Sequence, residues 1–204
     1  MHAPMSGPLR FGITYDYLCP FARNGNEHVV TGLRAGADWA VELVPFSLSQ
    51  AKAAESGEVR WDAPAALRRS GVLALAVAEL VRTEHPDRAL DVHTELFALR
   101  HERAGDLRDP GDVAGALERC GVPSALVDRA DEGVEPLRIA HEAMVARQVW
   151  GVPTLLGSHR AVFVRLLDRA GDDPAASIAR IERLVRMVED EPMLHEFKQV
   201  DLPQ

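Results

Sequence analysis

The sequence predicts an α/β fold in which two α/β segments share one sheet and an all-helical domain is inserted between them. Three observations carry this. Strand-like runs lie near both ends of the chain and are missing from its middle. The stretch from about 50 to 148 is rich in Ala, Leu, Arg and Glu and has helical periodicity. Outside it, the order is β-α-β before and β-β-α after, which suits one four-stranded sheet built from both halves. The expected boundaries are 1–49 and 149–204 for the sheet domain and 50–148 for the helical insertion.

The elements follow in order. Residues 9–18, LRFGITYDYL, mix β-branched and aromatic side chains and read as a strand. Residues 20–36, PFARNGNEHVVTGLRAG, read as a helix with Pro20 at its first position, where the missing N–H costs nothing. Asn24, Gly25 and Asn26 are poor helix formers and work against it. His28, further along, is expected at the surface. In residues 38–48 Trp39, Val41 and Leu43 alternate with Ala40, Glu42 and Val44, giving a second strand parallel to the first. Four helices are expected in the middle: 63–85, stopped by Pro86; 87–105, stopped by Gly105; 109–121, with Asp109 as N-cap and Gly121 as stop; and 133–148. Residues 153–157 and 161–167 flank a short turn and suit a hairpin. Residues 172–192 form a closing helix, capped by Asp173, started by Pro174 and lined on one face by Ile178, Ile181, Leu184, Val185 and Val188.

Bulk properties exclude several classes of function. The 204-residue chain carries a net charge of −8, with no basic cluster, so it has no general pull toward nucleic acid or an anionic membrane. The apolar run 71–81 is too short to span a bilayer. The first residues lack the pattern of a secretory signal, so a cytoplasmic location is expected. His85, His93 and His101 recur every eight residues, a spacing that drifts by about 80° per step around a helix. No cysteine or histidine pair has zinc spacing, so no metal is expected. Phosphate-loop, dinucleotide-binding and serine-hydrolase motifs are absent.

The segment DYLCPFAR (16–23) sets Cys19 between a strand and a helix. A thiol there faces unpaired backbone N–H groups and the positive end of the helix dipole, both of which favour thiolate. Cysteines so placed have pKa values drawn from about 8.5 to roughly 3.5–7.5. Cys19 is therefore the candidate nucleophile, with Arg23 adding positive charge and Asp16 opposing it if close. A buried, inert cysteine is the competing reading. Ala22 stands where a second cysteine would complete C-x-x-C. The other cysteine, Cys120, has Ala116 and Leu117 one turn away, which places it on a core face rather than within the roughly 7 Å that a disulfide with Cys19 requires.

Three stretches together resemble the DsbA-like branch of the thioredoxin superfamily, and within it the cytoplasmic actinobacterial DsbA-family oxidoreductases, among them mycothiol-dependent reductases. DYLCPFA (16–22) matches the pattern aspartate-x-x-cysteine-proline-aromatic-cysteine except at Ala22. RHERAGDL (100–107) followed by ERCGVPSALVD (118–128) is similar to the helical lobe, where a histidine stands near the site. VWGVPTLL (149–156) matches the loop that holds a cis-proline.

The resemblance implies a thioredoxin-like fold with an inserted all-helical domain and a thiol-disulfide oxidoreductase. It implies Cys19 as the catalytic residue in a motif with Pro20, Phe21 and Ala22. It also implies a cis Val152–Pro153 bond, with Val152, Pro153 and Thr154 guiding a partner's backbone. Phe21 is expected near the sulfur, and His101, Trp150 and Tyr17 are candidates for binding substrate or a small thiol. A solvent-facing histidine competes for His101, and a core aromatic for Tyr17 and Trp150. With Ala22 unable to resolve a mixed disulfide, monothiol chemistry remains, and mycothiol or glutathione is expected as co-substrate, with no covalently bound cofactor. The expected partner is a small thiol or small-molecule disulfide; the chain is a monomer or a homodimer. Two further readings stay open: a thiol-dependent transferase or isomerase similar to the 2-hydroxychromene-2-carboxylate isomerases, and a binding protein that kept the fold without catalysis.

Overall fold

Tyr15 ends the first strand because Asp16 turns the chain: its carboxylate accepts the Leu18 N–H at 2.9 Å and its carbonyl accepts the Cys19 N–H at 3.0 Å. The strand expected over 9–18 is therefore β1, Leu9–Tyr15. The computed structural model describes residues 7–55, 61, 62, 71–191 and 193. β1 is followed by α1 (Pro20–Arg34), β2 (Trp39–Pro45), α2 (Leu48–Glu55), α3 (Val72–Glu84), α4 (Ala89–His101), α5 (Pro110–Arg119), α6 (Val134–Ala146), β3 (Thr154–Leu156), β4 (Ala161–Phe163) and α7 (Pro174–Asp190). Of the helix expected over 63–85, residues 63–70 lie outside the described residues.

The sheet order is β2-β1-β3-β4. β1 and β2 are parallel, in register from Leu9 opposite Trp39 to Tyr15 opposite Pro45. β3 runs antiparallel to β1, with Gly12 opposite Leu156, and β4 antiparallel to β3, with Thr154 opposite Phe163. One apolar cluster (Phe11, Ile13, Val29, Trp39, Leu155, Ile181, Val185 and Val188) packs α1 and α7 against the sheet. A second, larger cluster runs from Tyr15, Val44, Phe46 and Leu156 through α3 to Leu96, Leu117 and Leu137 of the helical segment. The helices between β2 and β3 thus share a continuous core with the strands.

Several expected boundaries move, each for a local reason. α4 stops at His101 rather than Gly105, because Glu102 and Arg103 both donate to the Ala98 carbonyl and Gly105 donates to Leu99. Its start is shifted by a 3₁₀ turn over Pro86–Arg88. The helical run after the Gly121-Val122-Pro123 turn is 3₁₀, over Ser124–Gly133; Gly133 lies where an added Cβ would sit 2.0 Å from the Ala76 carbonyl oxygen of α3. β4 ends at Phe163, short of the expected 167, once Val164 has donated to Pro153 and the Leu166 carbonyl is taken by the Asn24 side chain. His28, expected at the surface, is 4% exposed: Nδ1–H donates to Ser177 Oγ at 2.9 Å, while Nε2 accepts from Arg180 at 3.1 Å, joining α1 to α7.

Candidate active site

Cys19 is the N-cap of α1, with extended backbone angles, and Pro20 opens the helix. Its Sγ accepts the Ala22 N–H at 3.4 Å and donates to the Val152 carbonyl at 3.4 Å. The thiol is thereby held between the start of α1 and the loop before β3. The Val152–Pro153 bond in that loop is cis. The loop is tied to β1, since Thr14 Oγ1 accepts the Thr154 N–H at 2.8 Å while Thr154 Oγ1 donates to the Gly151 carbonyl at 2.8 Å.

Each of the three poor helix formers of α1 has a contact that explains it. At Gly25 an added Cβ would meet Pro153 Cγ at 3.2 Å and Ile13 Cδ1 at 3.5 Å, so the absence of a side chain lets the helix lie against the loop. Asn24 donates to the Leu166 carbonyl at 2.9 Å. Asn26 Nδ2 donates to the Ala22 carbonyl at 2.8 Å, and its Oδ1 accepts His93 Nε2–H at 3.1 Å. His93 Nδ1 in turn accepts the Tyr17 hydroxyl at 3.2 Å. Burial holds His93 neutral, its pKa pushed down to about 3.

Tyr17 is therefore not a ligand-facing residue. It is fully buried, its hydroxyl is spent on His93, and its ring packs on Phe97 at 4.9 Å. His101 is partly exposed and lies against the segment just before Cys19. Its Nε2–H donates to the Tyr17 carbonyl at 2.9 Å, two residues before Cys19, and burial pushes its pKa down. This bond ties the segment before Cys19 to the end of α4. Trp150 is 70% exposed and lies on Phe163 with ring centroids 4.6 Å apart.

The electrostatics of Cys19 differ from the expectation of a strongly stabilised thiolate. Burial pushes the thiol up and the Asp16 carboxylate adds to this; the N–H groups of Ala22 and Phe21 and the Arg165 guanidinium pull the other way without prevailing. Partial desolvation here outweighs the helix N-terminus. Arg23 does not help, because it is buried and held by Glu27 at 2.8 Å and by Glu102. Asp16 is fully buried, its two oxygens accept from Leu18 at 2.9 Å and Leu48 at 2.8 Å, and burial pushes its pKa up to about 6. The Ala22 methyl is fully buried where the second thiol of a pair would stand. Cys120 is the half-buried C-cap of α5, its thiol pushed up to about 11 by burial and by Glu95 and Asp91; both cysteines are free.

Arg165 is the residue that sequence reasoning missed. Its guanidinium sits 4.8 Å from the Phe21 ring centroid and 5.9 Å from that of Phe163. The stretch 161–167 read as plain strand, and only the tie between Leu166 and Asn24 shows that the chain folds back here. Beside Leu18, the residue before Cys19, a cleft of about 450 Å³ opens between Arg100, Leu107 and Arg108.

No protein-family model matches the chain, and no curated protein matches it. Among solved structures it is similar to a linker-deleted variant of ScsC from Proteus mirabilis, at 15% identity and a TM-score of 0.62, over 93% of this chain and 73% of that one. It is similar to the oxidoreductase DsbA from Xylella fastidiosa at 18% identity and a TM-score of 0.55, over 92% and 90%. It is also similar to a 2-hydroxychromene-2-carboxylate isomerase at 14% identity and a TM-score of 0.61, over 90% of this chain and 99% of that one. At such identities the likeness concerns architecture, and the chain has the thioredoxin-like α/β fold with an inserted helical domain that these proteins share.

Proposed function

We propose that the protein is a thiol-disulfide oxidoreductase in which Cys19 works as a monothiol nucleophile, in the cytoplasm, with an external low-molecular-weight thiol such as mycothiol or glutathione. The observation that carries this is the position of the Cys19 sulfur, between the N-terminus of α1 and the Val152 carbonyl, with a buried methyl at position 22. In the first step the Cys19 thiolate attacks one sulfur of a disulfide, and the other leaves as a thiolate that takes a proton from water. In the second, an external thiolate attacks the sulfur bound to Cys19, forms a new disulfide with it and frees the Cys19 thiolate. The sum is exchange of one small disulfide for another, with no net change in electrons. The Val152 carbonyl would guide the backbone or amide groups of the substrate, whereas Thr154, buried with its N–H on Thr14 and its hydroxyl on Gly151, would fix the loop. An incoming N–H that takes over the Val152 carbonyl deprives the Cys19 thiol of its acceptor and eases loss of its proton. His101 would hold the segment before Cys19 in place.

The test is intact-mass analysis of reduced protein, with Cys120→Ser, mixed with oxidised glutathione. A mixed disulfide at Cys19 that reduced glutathione releases is expected. Absence of any adduct at pH values up to 9 overturns the proposal.

A second reading is favoured by the raised Cys19 thiol together with the full-length match to the isomerase. There a bound thiol supplies the nucleophile and a protonated Cys19 donates a hydrogen bond to its sulfur. Isomerisation of a hydroxychromene carboxylate with reduced glutathione, retained in Cys19→Ser, would establish it in place of the first.

A further inference from the structure

We infer that Arg165, seated on the rings of Phe21 and Phe163 beside Cys19, is a carboxylate-binding site for the small thiol or disulfide with which Cys19 reacts. This rests on the reading of Cys19 as a nucleophile and adds to it the class of substrate.

The segment carrying Arg165 is anchored on both sides. Val164 donates to the Pro153 carbonyl at 2.9 Å, and the Leu166 carbonyl accepts from Asn24 at 2.9 Å. Arg165 therefore projects from a fixed point between the cis-proline loop and the first turn of α1, the two pieces that hold the sulfur. Nearby arginines are neutralised: Arg23 and Arg169 by Glu27 and Glu102, Arg180 by Asp168. Arg165 is exposed, and among the described residues it has no carboxylate partner. In a chain with 31 acidic and 23 basic residues, an unpaired guanidinium at the mouth of the thiol is set to meet an anion from outside. The guanidinium lies over the Phe21 ring and within reach of Phe163, and a guanidinium can pair with a planar, two-oxygen acceptor through its N–H groups. Trp150, tilted against Phe163 at 4.6 Å, extends the wall with an exposed apolar face for the rest of the ligand. The fitting chemistry is a thiol whose unreactive part ends in a carboxylate. Glutathione has this; mycothiol, an uncharged sugar conjugate, does not.

The experiment compares two alkylating agents of similar size, anionic iodoacetate and neutral iodoacetamide, on Cys19 in the Cys120→Ser protein. Oxidised glutathione and cationic cystamine serve as the matched pair of disulfides. Arg165→Met is expected to lower the iodoacetate-to-iodoacetamide rate ratio by about three- to tenfold, the effect of one charge several ångströms away in a partly screened site. Arg165→Lys should restore most of the ratio, and Arg165→Met should also slow reaction with oxidised glutathione relative to cystamine. A ratio unchanged in Arg165→Met, with Cys19 still reactive to both agents, overturns the carboxylate site and leaves the nucleophile standing. A Cys19 that neither agent modifies overturns both.

Discussion

Cys19 shows how one sulfur is set by opposing forces, of which burial is the largest. Two backbone N–H groups and Arg165 favour its thiolate; burial and Asp16 favour its thiol. The pH profile of Cys19 alkylation is therefore expected to have its midpoint above that of an unperturbed cysteine, and Asp16→Asn to lower it by removing the nearest opposing charge; a midpoint that rises in the variant contradicts this balance. Asp16 also leaves a mark on stability. Its folded pKa, about 6, lies above its unfolded value of 3.8, so the folded state holds the proton more tightly. The stability this contributes is complete below about 3.8 and is lost as pH rises through about 6. Acidification from pH 7 to 4.5 is accordingly expected to raise the stability of the natural protein relative to Asp16→Asn by about 2 kcal/mol, at ~1.4 kcal/mol per pKa unit. Urea unfolding of both proteins at the two pH values measures it. His93 runs the opposite way in both, since its pKa of about 3 makes its contribution present above its unfolded value and lost toward acid. The comparison between variants cancels it.

At the level of elements, close approach governs what can be changed. α1 lies on the cis-proline loop through Gly25, and the 3₁₀ run ending at Gly133 lies on the backbone of α3. The two contacts differ in hardness. At Gly25 the nearest atom is 3.2 Å from an added Cβ, so Gly25→Ala needs a shift of a few tenths of an ångström, and the better helix propensity of alanine, about 1 kcal/mol, offsets the crowding. At Gly133 the obstacle is a backbone carbonyl at 2.0 Å, which cannot rotate away. Gly133→Ala should therefore destabilise by about 3 kcal/mol or more, while Gly25→Ala stays within about 1 kcal/mol and mainly alters Cys19 reactivity. Chemical denaturation of the two variants distinguishes these outcomes. An equal loss for both would mean that α1 is as rigidly seated as α3. The ion network of Arg23, Glu27, Glu102 and Arg169 joins the same helix to the end of α4 and to the segment after Arg165. It fixes the side of the site that carries Arg165.

Across the whole molecule, what was legible in the sequence was whatever depends on neighbours in the chain. Pro20 after Cys19, Asp109 before Pro110 and Asp173 before Pro174 are local signals, and all three mark helix starts where expected. The strands were legible from β-branched and aromatic content in β1, alternation in β2 and the short turn between β3 and β4. Contacts between distant segments were not legible. The burial of His28 depends on Ser177, the role of His101 on a carbonyl 84 residues away, and the position of Arg165 on an asparagine that looked like a flaw in a helix. The expected division into a sheet domain and a helical insertion also has a consequence for folding. Because Tyr15, Phe46 and Leu156 belong to the same apolar cluster as Leu96, Leu117 and Leu137, separating the two parts would expose core surface on each. The chain is therefore expected to unfold as one cooperative unit. In a Cys19→Ser background, pulsed labelling of Cys120 reports on the helical part. With Trp61→Phe and Trp150→Phe, the fluorescence of Trp39 reports on the sheet. Coincident urea midpoints are expected for the two probes; a Cys120 midpoint clearly below that of Trp39 would mean that the helical part opens alone, and that the cleft beside Leu18 can be remodelled without unfolding the sheet that holds Cys19.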